Sequence, residues 1–86
     1  DERSELHYLL PGTPLTLQKG DWQYLSLFPL QGALQGVTLT GVYYPLQNAA
    51  LTADYPLGVS NEFVQDTAQL CCTAGCGLAV LTRADG

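Results

Sequence analysis

Eighty-six residues, 47% hydrophobic and 13% charged, suit one small folded domain and exclude a disordered chain. The net charge is −5, and Arg3, Lys19 and Arg83 are the only basic residues, so the basic footprint needed for nucleic acid is missing and an anionic membrane surface is disfavoured. No apolar run approaches the ~20 residues of a membrane-spanning helix, and the charged start "DERSELHYLL" lacks a secretory pattern, so the expected location is cytoplasmic.

Taken in chain order, the signals are those of strands and turns. "LHYLL" (6–10) is short and apolar and stops at "PGTP", where two prolines flank a glycine. "LTL" (15–17) alternates, and "KGD" turns. In "WQYLSLFPL" (22–30), Leu25 and Leu27 share one face while Tyr24, Ser26 and Phe28 share the other. Pro29 has no N–H to give, so it stops the ladder or marks an edge.

"LQGVTLTGVYY" (34–44) is the strongest strand signal. Strict alternation assigns Val37, Leu39 and Tyr43 to the core face and Thr38, Thr40, Val42 and Tyr44 to the other, with Gly36 and Gly41 as bends or bulges. "AALTA" (49–53) is a brief strand candidate, with a weak helical alternative around 46–53. "EFV" (62–64) and "AQLCCT" (68–73) are expected to pair as a meander, and "AGCG" (74–77) to turn a hairpin into "LAVLTR" (78–83). Short strands about ten residues apart, with Gly/Pro turns, predict an all-β fold: a jelly-roll-like β-sandwich of short, mostly antiparallel strands.

The catalytic inventory is thin. The single histidine, His7, has no serine or cysteine motif beside it, and there is no phosphate loop or dinucleotide fingerprint. Cys71, Cys72 and Cys76 are an odd number and have no fourth metal ligand nearby. They read as small apolar residues in a reducing compartment. No catalytic residue and no metal site is assigned, and the domain reads as one that binds rather than reacts.

Two stretches could bind. Pro45 biases Tyr44 towards extended backbone, so Tyr44 either packs on a second sheet or offers a platform to a flat or cationic ligand. "GVSNEF" (58–63) sets Ser60, Asn61 and Glu62 between apolar residues. An Asx turn here would bring Ser60 and Asn61 to one side. Asn61 then either closes the turn on its own backbone or gives donor and acceptor to a heteroaromatic edge.

"SLFPLQGALQGVTLTGVYYPLQNAALTADYPLGVSNEF" resembles the C-terminal domain of thiamine pyrophosphokinase, whose Ser-Leu-Phe-Pro-Leu, Gly-Val-Thr-Leu and Gly-x-Ser-Asn-Glu runs match Ser26–Leu30, Gly36–Leu46 and Gly58–Glu62 in order. "ELHYLLPGTPLTL" is similar to the family's entry strand and turn, and "GLAVLTR" to its last strand. Val42-Tyr43 departs from the usual Leu-Lys, and "CCTAGCG" is unusual.

The resemblance implies that residues 1–86 are a single thiamine-binding domain, with 1–13 the linker from an N-terminal α/β catalytic domain outside these residues. That domain would hold ATP and Mg²⁺. A homodimer would share the active site, and the reaction would move a pyrophosphoryl group from ATP to thiamine. The resemblance makes Tyr44 the stacking aromatic. It makes Ser60 and Asn61 the hydrogen-bonding pair and Glu62 a loop-orienting or ligand-facing carboxylate. The 86 residues by themselves would be inactive. The rival expectation is a free-standing small-ligand or carbohydrate-binding sandwich without catalysis.

Overall fold

Leucine alternation along one long strand sets the framework. The computed structural model describes residues 4–52 and 59–83, the side chains of Val59 and Ser60 excepted. Its strands are β1 (Ser4–Leu9), β2 (Leu15–Gln18), β3 (Tyr24–Thr40), β4 (Leu46–Leu51), β5 (Val59–Glu62), β6 (Thr67–Cys71) and β7 (Ala74–Thr82). Every strand pairing is antiparallel. The fold is all-β, as expected, and the described residues contain no helix.

The two strands expected over 22–30 and 34–44 are one, the 17-residue β3. Drawn straight it would run about 56 Å at roughly 3.3 Å per residue. The longest dimension of the molecule is 31 Å, so β3 must bend. It does so between Leu30 and Gln35, where its register with β7 slips. Gln31 and Gly32 there take φ of 53° and 108°.

Before the bend β3 pairs with β7 and β5, and β7 with β1. After it β3 pairs with β6 and β4, and β6 with β2. The result is two four-stranded layers, β1-β7-β3-β5 and β2-β6-β3-β4, sharing β3. Pro29 does not end the ladder. It lies opposite Gly77 of β7, beyond the last described partner of β5, which is Val59 across from Leu27.

The core lies between the layers. Leu9, Leu25, Leu27, Ala79 and Leu81 come from the first, and Leu17, Leu34, Val37, Leu39, Ala68 and Leu70 from the second; all are buried. Burying a leucine fully is worth about 1.5–3 kcal/mol, so the alternation of β3 carries much of the stability.

Three local expectations fail. β5 and β6 do not form a meander: β5 pairs with β3, while β6 lies between β2 and β3. Ala68 and Leu70 of β6 face Leu17 and Leu15 in register, which seats them on the core. "AGCG" is not a hairpin loop either, because β7 starts at Ala74 and joins the other layer from β6. The chain crosses between layers at Thr73, whose N–H donates to the Gln35 carbonyl at 2.9 Å. The weak helix around 46–53 is strand β4 through Leu51, held by pairing with β3, and residue 53 lies outside the described residues.

All three cysteines are free thiols. Cys72 is buried, whereas Cys71 and Cys76 are half-buried. Burial first, then the neighbouring Cys71 and Cys76, pushes the Cys72 thiol above its ordinary value.

Candidate functional site

The site begins at a glycine. Val37 and Leu39 are buried, so strict alternation would next bury residues 41 and 43. Gly41 instead takes φ +83°, and a Cβ there would stand 2.2 Å from the Thr67 carbonyl oxygen. Only glycine fits this close approach and this left-handed backbone. Strand β3 ends at Thr40 and the phase slips by one residue. Val42 is buried, and Tyr43 and Tyr44 are 63% and 64% exposed. The assignment of Tyr43 to the core and Val42 to the outside is therefore reversed, and Tyr44 does not pack on a second sheet.

Residues 42–44 run antiparallel to 61–63. Val42 bridges Phe63, and the Tyr43 N–H donates to the Glu62 carbonyl at 2.9 Å. At the next position a side chain replaces the ladder. Asn61 Oδ1 accepts the Tyr44 N–H at 2.7 Å, and Asn61 Nδ2 donates to the Tyr44 carbonyl at 2.8 Å. The primary amide thus supplies the two bonds a strand peptide would give. Asn61 is only 2% exposed, and a buried amide must find such partners.

Asn61 is not in an Asx turn. It lies in β5, opposite the fully buried Leu25, so its side chain leaves on the core side of the sheet. Glu62 is opposite Tyr24, on the outer side. Ser60 lies in β5 opposite Ser26, and its side chain is outside the described residues.

The Tyr43 and Tyr44 rings meet edge to face, 5.0 Å between centroids and 64° between planes. Together with Tyr24, Asn61 and Glu62 they line a pocket of about 290 Å³. Three of the four residues singled out in the sequence, Tyr44, Asn61 and Glu62, thus converge. Tyr24 and Tyr43 were missed. Tyr24 was legible as an outward-facing residue of "WQYLSL", whereas Tyr43 was hidden by the phase slip.

Of the five described lining residues, Glu62 carries a charge and none is basic. The arrangement can stack a planar ring, exchange hydrogen bonds and favour a cation. Among the described residues it offers no paired nucleophile and base. His7 is bonded instead to Glu5 at 2.8 Å on β1. Among the described residues no group of three His, Cys, Asp or Glu side chains is placed to hold a metal ion. A smaller hollow of about 140 Å³, lined by Pro14, Thr38, Thr40, Gln69, Leu70 and Cys71, lies on the second layer.

Residues 13–76 match the family model described as thiamin pyrophosphokinase, vitamin B1 binding domain. Among solved structures the chain is similar to thiamin pyrophosphokinase from Geobacillus thermodenitrificans, at 26% identity and TM-score 0.90, with 100% of this chain and 40% of that one covered. It is similar to thiamine pyrophosphokinase from Bacillus subtilis at 25% identity and TM-score 0.86, covering 96% of this chain and 39% of that one. A thiamin pyrophosphokinase family protein from Enterococcus faecalis matches at 26% identity and TM-score 0.80, with 96% and 38% covered. The chain therefore spans about two fifths of the length of these relatives. No match to a curated protein was found.

Proposed function

Because this chain belongs to the thiamin pyrophosphokinase vitamin B1 binding domain family, we propose that its tyrosine-lined pocket binds thiamine and presents the thiamine hydroxyl for pyrophosphoryl transfer from ATP. The observation that carries this reading is the pairing of Asn61 with Tyr44. A buried amide spends two hydrogen bonds on fixing the main chain beneath an exposed aromatic ring. Holding a large ring in solvent contributes little to the core. It does preorganise a stacking surface.

Each proposed contact has a distinct task. Tyr44 stacks against the aminopyrimidine. Asn61 acts through Tyr44, whose main chain it holds with both amide groups, and in this proposal the pyrimidine edge is assigned to Ser60. Glu62 places negative charge beside the thiazolium. In the full-length protein the thiamine hydroxyl oxygen bonds to the β-phosphorus of ATP. The bond from that phosphorus to the α–β bridging oxygen breaks, AMP leaves, and the hydroxyl proton passes to solvent. Thiamine diphosphate remains. The chain's part is positioning of the alcohol.

In this proposal ATP and Mg²⁺ are held by the part of the full-length protein that corresponds to the rest of the relatives' length, of which this chain spans about two fifths. The 86 residues alone are accordingly expected to turn nothing over. β1 pairs with β7 along its whole length, and in this proposal it and the turn after it are the entry from an α/β domain. In this proposal the site is completed by a partner subunit in a cytoplasmic homodimer.

The test is calorimetric titration of thiamine into the full-length protein. Wild type is expected to bind, Tyr44→Trp to bind comparably and Tyr44→Ala to lose roughly 5- to 150-fold, the equivalent of about 1–3 kcal/mol. Equal binding by wild type and a folded Tyr44→Ala variant would overturn the assignment of this pocket.

A further inference from the structure

Tyr43 is held at its backbone, as Tyr44 is. Its N–H is bonded to the Glu62 carbonyl at 2.9 Å, and the following residue is clamped by Asn61. Both rings are nonetheless almost two-thirds exposed. Two adjacent large aromatics, pinned at the backbone and presented to solvent at 64° to one another, form a corner rather than a patch of core. Tyr24 closes the pocket from β3, on the outer face it shares with Glu62.

Among the described residues the electrostatics of this corner have one sign. The face of a tyrosine ring is the negative region of its quadrupole. Three such rings and one carboxylate line the pocket, and neither Lys19 nor Arg83 does. Arg83 lies instead over the Trp22 ring, 5.0 Å from its centroid.

We infer that Tyr43, with Tyr24 beside it, is a specificity-determining residue that reads the positive charge of a planar heteroaromatic cation, so that the pocket selects for charge as well as for shape. This rests on the thiamine-binding reading above and extends it. Tyr44 stacks on one ring of the ligand. Tyr43 turns its ring across that stack, and with Glu62 it favours the ring that carries the charge. Affinity for an uncharged ring of the same outline is correspondingly weaker.

The experiment compares thiamine with its neutral thiophene isostere, in which carbon replaces the ring N⁺, by calorimetry on the full-length protein. Wild type should bind thiamine at least about tenfold tighter than the isostere. Tyr43→Ala should weaken thiamine binding by roughly 2- to 30-fold, the range of one cation–π contact, while leaving the isostere nearly unchanged. Tyr43→Phe, which keeps the ring face, should retain the wild-type preference. Thiamine and isostere bound equally well by wild type would overturn charge reading but leave the thiamine pocket standing. Equal losses for both ligands in Tyr43→Ala would do the same. Failure of wild type to bind either ligand would overturn the thiamine reading and this inference with it.

Discussion

Two stretches of the same sequence segment, Tyr24–Leu27 and Gly41–Tyr44, follow the same rule to opposite ends. In the first, β3 has β7 on one side and β5 on the other, and its register is unbroken. Alternation holds: Leu25 and Leu27 are fully buried, and Tyr24 and Ser26 turn outward. In the second, one glycine with a left-handed backbone adds a residue to the count, and the side chain expected in the core comes out. The difference teaches that period-2 patterning is a property of a ladder, not of a run of residues. Where the ladder is kept, the pattern builds stability. Where it is interrupted at a sheet rim, the displaced aromatics become available to a ligand.

The comparison can be broken first at its stable end. Leu25→Ala should lower the unfolding free energy by about 2–5 kcal/mol, since it opens a cavity in a fully buried position. Chemical denaturation measures it. Thiamine KM in the surviving folded protein should stay near wild type, and a selective rise in KM would mean that the core half also shapes the site.

Gly41→Ala attacks the hinge between the two regions. The left-handed conformation alone costs a non-glycine residue about 1–3 kcal/mol, and the added Cβ meets the Thr67 carbonyl oxygen. The expected result is lost stability together with a raised thiamine KM, because any relief moves Val42, Tyr43 and Tyr44 as a unit. A variant with normal stability and normal KM would show that the phase slip is not what presents the tyrosines.

Asn61→Ala separates clamp from core. Tyr44 is exposed enough for water to replace part of what the amide supplied, so the loss should be near 1 kcal/mol, roughly fivefold in thiamine KM. KM for ATP should change little in steady-state kinetics with each substrate varied. A matching rise in ATP KM would point to distortion of the whole site rather than loss of the clamp.

The smallest effect belongs to Cys72. Its thiol is pushed above the ordinary value of 9.0, chiefly by burial. A raised acid pKa means the folded state keeps the proton longer than the unfolded state. That contribution is complete below about pH 9 and fades as pH rises through the folded value. The denaturation midpoint should therefore fall more steeply above pH 9 in wild type than in Cys72→Ala, and parallel profiles would remove Cys72 from the account.

Much of the candidate site is legible in the sequence. Tyr44, Asn61 and Glu62 stood out as polar or aromatic residues in an apolar setting, and they do meet at one pocket. Their arrangement was not legible. The Asx-turn reading of Asn61 failed because β5 pairs with β3 through residues 59–62, a partner far away in the chain that local propensity cannot see. Tyr43 was misplaced because Gly41 could be recognised as a possible bulge without showing which way the count would shift.

The sequence by itself determined the all-β class, the turn residues and the core leucines of β3, since backbone chemistry and side-chain period act over a few residues. Its ordered motifs also sufficed to identify the family. Only the tertiary structure decided that two expected strands are one bent strand, that β5 and β6 join different layers, and that the Asn61 amide stands in for a peptide beneath Tyr44. Each of those outcomes depends on which distant backbone groups find one another, because every buried N–H and C=O must be paired and the sequence pattern does not name the partner.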